Sequence, residues 1–385
     1  MIYLDYAATT PTDERVIAKM LEFLGKESCF ANPASRSHML GWQAEAAVES
    51  ARKQIANVLN CDVREIVWTS GATESNNLAI KGTLESLRDS GDPRRHIVTS
   101  KLEHKAVLDC FSYMEKHHDY RVSYVSPNEH GLISQKNLED AVETDTVLVS
   151  VMHVNNEVGL RNPVAELAAF CRSKDIIFHA DCAQSAGKEK LDMSVIDADL
   201  ISICAHKIYG PKGIGALFVR RRPGFSLSCQ IHGGGHERGM RSGTLPVHQI
   251  VAFGQALAIA ASEREAESAR IAELKKAFLK QLDHDGYRVN GGLQFTVPNI
   301  LNLSFPGLDG QMVLAALPNL AVSSGSACNS ASMAPSHVLK ALGMSDEEAL
   351  SALRFSFGRF TTQAEVARAS SDLLKVLIGL SAQAT

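Results

Sequence analysis

Between residues 65 and 219 short apolar runs alternate with amphipathic stretches, and this alternation restricts the fold more than any other feature. The runs are Glu65–Thr69, His96–Ser100, Arg121–Val125, Thr146–Met152, Ile176–Ala180, Leu200–Ile203 and Ile214–Val219. Bounded runs of that length read as buried strands. Helical periodicity fills roughly 73–88, 104–117, 135–143 and 163–173 between most of the early ones. Such alternation implies a mostly parallel, seven-stranded sheet with helices on both faces. Only the His206–Gly213 stretch separates the last two runs, which predicts an antiparallel pair at the sheet edge.

At 385 residues the chain exceeds what one core usually organises. An amphipathic helix follows Pro11-Thr12-Asp13, and a second covers about 37–59. A stretch from about 246 to 283, rich in Ala, Glu, Lys and Leu, reads as a bridge to a smaller α/β domain. The expected division is an arm at 1–15 that joins the small domain, a large domain at 16–255 and a small domain at 256–385.

A formal net charge of -4 argues against nucleic-acid binding by bulk electrostatics. No apolar stretch approaches the ~18 residues of a membrane span, and no signal peptide opens the chain, so a cytoplasmic address is expected. Eight cysteines are scattered without a C-x-x-C pair. That pattern predicts buried thiols rather than a disulfide framework or a zinc site. His232 and His236 stand four apart, but Gly233, Gly234 and Gly235 forbid the helix that would pair them on a metal.

Three segments carry chemistry. In Ala205-His206-Lys207-Ile208-Tyr209-Gly210-Pro211-Lys212-Gly213 a lysine follows a buried strand, at the kind of strand end where open α/β sheets bind ligands. A partly desolvated lysine there can form a Schiff base with an aldehyde cofactor, although a strand-end lysine alone is more often a solvated charge. The run Ile176–Asp181 delivers a carboxylate at its end, as a cofactor with a pyridine ring requires. Thr69-Ser70-Gly71-Ala72-Thr73-Glu74-Ser75-Asn76-Asn77 follows a strand and opens a helix, an arrangement suited to a phosphate. Together and in this order they point to pyridoxal phosphate.

With Tyr3–Pro11, Asn32–Ser35, His153–Glu157, His232–Thr244 and Ser323–Cys328 added, the chain resembles the IscS/NifS group of cysteine desulfurases from residue 2 to about 362. The resemblance implies the fold-type I transferase fold of pyridoxal-phosphate enzymes. It also implies removal of sulfur from L-cysteine, giving alanine and a persulfide on Cys328. Lys207 would carry the cofactor and move the substrate's α-proton, Asp181 would pair with the ring nitrogen, and Gln184 would bond the ring's phenolic oxygen. His104 would stack on the ring as an acid–base group. Ala72, Thr73, Cys204 and His206 would bind the phosphate, with Thr244 reaching it from the second subunit of a homodimer. Asn156 and Arg354 would hold the substrate carboxylate and the cofactor edge, with Asn32 near the substrate; a guanidinium fork suits a carboxylate.

Cys328 sits in Ser323-Ser324-Gly325-Ser326-Ala327-Cys328-Asn329-Ser330-Ala331-Ser332, small polar residues that read as a solvent-facing loop (about 323–332) carrying a nucleophile. No resident metal is implied, although Cys328 could transiently ligate a cluster shared with a scaffold. The implied partners are a sulfur acceptor, either an iron–sulfur scaffold or a relay protein, with no direct nucleic acid and no membrane. Two departures stand out. Cys204 occupies a position where the family usually has Ser, and a thiol is the weaker donor. The chain also lacks the longer tail with which relatives dock the iron–sulfur scaffold, which leaves the destination of the sulfur open. Selenocysteine lyase or aminotransferase chemistry on the same fold would need no loop thiol, and a non-catalytic relay protein would need no Lys207.

Overall fold

The structure, a computed structural model, describes residues 1–282, 286–324 and 334–384. Its central sheet has seven strands in the order Ile66–Thr69, Gly215–Val219, Leu200–Cys204, Ile177–Asp181, Thr146–Ser150, His96–Ser100, Arg121–Val125. Only Gly215–Val219 runs antiparallel to its neighbours. Six of the strands are buried along most or all of their length, as strands covered on both faces must be. The helices Lys105–His118 and Val164–Ser173 lie where their periodicity placed them.

The predicted antiparallel pair forms, but it is not at the edge. The short His206–Gly213 turn does reverse the chain, and Gly215–Val219 then accepts Ile66–Thr69 on its other side. Ile66–Thr69 is therefore the edge strand, although it is fully buried. Gly215 makes this junction possible: a Cβ there would lie 2.7 Å from both the Gly71 Cα and the Ile203 oxygen. The segment after Thr69 is thus pressed onto the end of the sheet.

The helix Val247–Gln281 links two hydrophobic cores. Its first half buries Ile250, Phe253 and Leu257 in the core of the large sheet. Its second half buries Ile271, Leu274 and Phe278 with Leu303, Phe355 and Leu373. That second core supports a four-stranded antiparallel sheet ordered Ser323–Ser324, Ala352–Ser356, Ile300–Ser304, Arg288–Val289. The chain's first residues belong to it: Ile2 and Tyr3 pair with Leu320 and Ala321, and Leu4 is buried among its side chains.

Candidate active site

Because all the parallel strands point the same way, their C-terminal ends line one rim, where α/β sheets bind ligands. Each strand end there hands over a chemical group. Ala72 and Thr73 begin a helix after Thr69, His104 caps a helix after Ser100, Asp181 ends its strand, and Cys204 ends the strand before His206 and Lys207.

Lys207 sits in a tight turn closed by Ala205, which accepts from the backbone of Ile208 and Gly210. Its Nζ donates to the Ala7 carbonyl at 2.5 Å and the Ala8 carbonyl at 2.6 Å. The N-terminal arm therefore crosses directly over the lysine. Thr10 fixes it there, donating through N and Oγ1 to the His206 carbonyl at 2.9 and 3.0 Å. Burial, reinforced by the positive charges of Lys207, Lys212 and Lys188, lowers His206 to about 4, so it is neutral at physiological pH.

Asp181 is buried, and both its oxygens are engaged. Oδ2 accepts from Asn76 Nδ2 at 2.7 Å, and Oδ1 accepts from the Ala183 amide at 2.9 Å. Gln184 donates through Nε2 to the Ala7 carbonyl at 2.8 Å. Its Oε1, Asn76 Oδ1 and His153 Nδ1 are buried without a hydrogen-bond partner among the described residues. Buried polar atoms are normally satisfied, so three orphaned atoms around Asp181 and Lys207 mark a place built for a polar guest. A cofactor with a pyridine nitrogen, a phenolic oxygen and an aldehyde fits that set of groups.

His104 caps the helix Lys105–His118, its Nδ1 accepting from the Ala106 amide at 3.1 Å. Beside it, Glu103 is fully buried and accepts from the Met152 amide at 2.8 Å. Burial, with the charge of Asp181 adding to it, pushes its carboxyl up to about 8. Cys204 is completely buried, and burial likewise raises its thiol to about 11.

Arg354 comes from the small sheet and is buried. Its Nη1 donates to the Asn156 carbonyl at 2.9 Å, its Nη2 donates to Asp5 at 2.8 Å and Ser323 at 3.1 Å, and its Nε is unpartnered among the described residues. It thus joins the N-terminal arm, the Asn155–Glu157 loop and the small sheet at one point. Asn32 and Thr244 are exposed. The Asn32 side chain accepts from the Ala34 amide at 2.9 Å. Cys328 lies outside the described residues.

Four residues of the site carried no role in the sequence reading: Asn76, Glu103, Asp5 and Glu157. Asn76 follows Ala72 by one helical turn, so spacing alone puts it on the same face. Glu157, buried and hydrogen-bonded by Ser336 at 2.5 Å, is raised to about 7 by burial. Glu103 stands among Lys101, His104 and Lys105, so nothing in its local sequence marks it as buried.

The family model for class-V aminotransferases matches residues 2–369. The cysteine desulfurase IscS of Klebsiella pneumoniae subsp. pneumoniae is 54% identical over 379 residues, covering 98% of this chain and 93% of that one. Among solved structures, a NifS-like protein aligns with a TM-score of 0.89 at 34% identity over 99% of both chains. A structure described as SspA in complex with cysteine aligns at a TM-score of 0.82 and 37% identity, covering 94% of this chain and 100% of that one. With its sheet-end lysine, buried aspartate and these relatives, the chain belongs to the IscS-type cysteine desulfurases of the class-V aminotransferase family.

Proposed function

We propose that this protein is a cytoplasmic, homodimeric, pyridoxal-phosphate-dependent cysteine desulfurase that takes sulfur from L-cysteine onto Cys328, releasing L-alanine. The observation that carries the reading is the convergence of Lys207, Asp181 and Gln184 around unsatisfied buried polar atoms at the carboxyl ends of the sheet.

Pyridoxal phosphate, when bound, supplies the electron sink that acidifies the α-proton of an amino acid and loosens its bond to sulfur. Asp181 would hold a proton on the ring nitrogen, and the bonds from Asn76 and Ala183 keep its carboxylate aimed. Gln184 would face the phenolic oxygen. Ala72, Thr73, Cys204 and neutral His206 would surround the phosphate, with Thr244 arriving from the partner subunit. Lys207 would anchor the cofactor and carry the α-proton, and His104 would exchange protons beside the ring. The Arg354 fork, close to Asn156, would take the substrate carboxylate and orient the sulfur outward. Cys328 would attack that sulfur as a thiolate: an S–S bond forms, the C–S bond breaks, and its electron pair ends on the carbon skeleton that leaves as alanine.

The homodimer is supported by the exposure of Thr244 and by the large apolar side chains Phe30, Met39, Leu40 and Trp42 exposed on the 28–42 segment. The acceptor would be an iron–sulfur scaffold or a relay protein. Incubation with L-cysteine and a thiol reductant tests the reading. Wild type should release alanine and Lys207→Ala none; alanine from Lys207→Ala at the wild-type rate would defeat it.

A further inference from the structure

The outward side of the edge strand Ile66–Thr69 has no strand neighbour among the described residues, yet its backbone is not left open. The Ile66 carbonyl accepts from Arg52 at 2.8 Å and from Arg238 at 2.7 Å, and the Trp68 amide donates to Glu237 at 2.8 Å. Arg52 and Glu237 also form a buried two-pronged pair at 2.8 and 2.9 Å. Such side-chain cover blunts a sheet edge that would otherwise pair with another chain. To provide it, Glu237 and Arg238 take left-handed backbone conformations with φ of 49° and 56°, uncommon for residues with side chains.

The same loop makes one more contact, and this one is on the phosphate cradle. Arg241 donates through Nε and Nη2 to Glu74 at 2.8 and 3.3 Å, and Glu74 in turn accepts from the Ser70 amide at 2.7 Å. Glu74 lies next to Thr73, and Arg241 lies three residues before the exposed Thr244. Burial works to raise the Glu74 carboxyl, but the bonds from Arg241 and Ser70 outweigh it and hold it below its ordinary value. One ion pair therefore connects the segment that would hold a chain's own phosphate with the segment that would reach the partner's.

We propose that the Glu74–Arg241 pair couples the two cofactor sites of the homodimer: an occupied cradle in one protomer sets the loop that delivers Thr244 to the other. Arg241 and Glu74 are positioning residues in this scheme. The coupling rests on the proposed dimer, with Thr244 crossing between subunits.

The test is a titration of apo-enzyme with pyridoxal phosphate, followed by protein fluorescence, with light scattering on the same samples. The wild-type dimer should load with a Hill coefficient above unity. Arg241→Ala should weaken loading by roughly tenfold, a size typical of coupling between sites, and bring the Hill coefficient to unity. Arg241→Lys, which keeps the charge, should recover part of both. Glu74→Gln, which keeps the shape, should reproduce the loss if Arg241→Ala does not fold. A purely structural role would lower affinity and leave cooperativity in place. Non-cooperative loading of a wild-type dimer, or unchanged cooperativity in Arg241→Ala and Glu74→Gln, would overturn the proposal. Monomeric apo- and holo-enzyme would overturn it together with the dimer reading.

Discussion

Nη2 of Arg354 lies 2.8 Å from Oδ1 of Asp5, and the same guanidinium donates to the Asn156 carbonyl at 2.9 Å. The two partners stand at opposite ends of the chain, so a residue of the small sheet is locked in place by the N-terminal arm that also crosses Lys207. A buried guanidinium held this way keeps its fork pre-oriented. Arg354→Lys replaces the fork with a point charge, and KM for L-cysteine should rise about tenfold or more, as loss of a charge-assisted bond predicts. The cofactor absorbance should persist. Steady-state kinetics with an unchanged KM would remove Arg354 from substrate binding.

Glu103 gives a pH-dependent prediction. Its carboxyl is raised to about 8 in the fold, whereas an unfolded chain would return it to its ordinary value. Between those two values the folded state holds a proton that the unfolded state has lost. Stability from this group is therefore full at low pH and declines as pH rises toward 8. Glu103→Gln mimics the protonated carboxyl without titrating. Its melting temperature should exceed wild type by a few degrees at pH 8, and the gap should close toward pH 5. A constant gap across that range would contradict the assignment.

Cys204 gives the third prediction. It is buried at the end of its strand, with its thiol held protonated. A hydroxyl is the stronger donor to a phosphate. Cys204→Ser should raise affinity for pyridoxal phosphate, measured by equilibrium titration of the apo-enzyme. No gain would show that residue 204 contributes no bond to the phosphate.

Much of this site could be read along the chain, because strand ends advertise themselves. Asp181 and Lys207 each follow a mostly apolar run, and the structure places both at the end of a buried strand. The strands themselves were legible to within a residue or two for the same reason. What escaped was who sits beside whom. The bond from Asn76 to Asp181 spans 105 positions and that from Arg354 to Asp5 spans 349, and periodicity carries no information about either. The edge of the sheet was misplaced on similar grounds. Ile66–Thr69 is as apolar as a central strand, and the cover that makes this tolerable comes from Arg52, Glu237 and Arg238, residues that read as ordinary surface charges.

The central claim is that Cys328 receives the sulfur of L-cysteine. The most direct measurement is a single turnover with ³⁵S-labelled L-cysteine, following protein-bound label and free alanine for wild type and Cys328→Ser side by side. Wild type should retain reductant-labile label on Cys328 and release an equal amount of alanine. Cys328→Ser should do neither while keeping its cofactor absorbance. Equal alanine from both proteins, with no label on Cys328, would contradict the claim and mean that the carbon–sulfur bond breaks by another route.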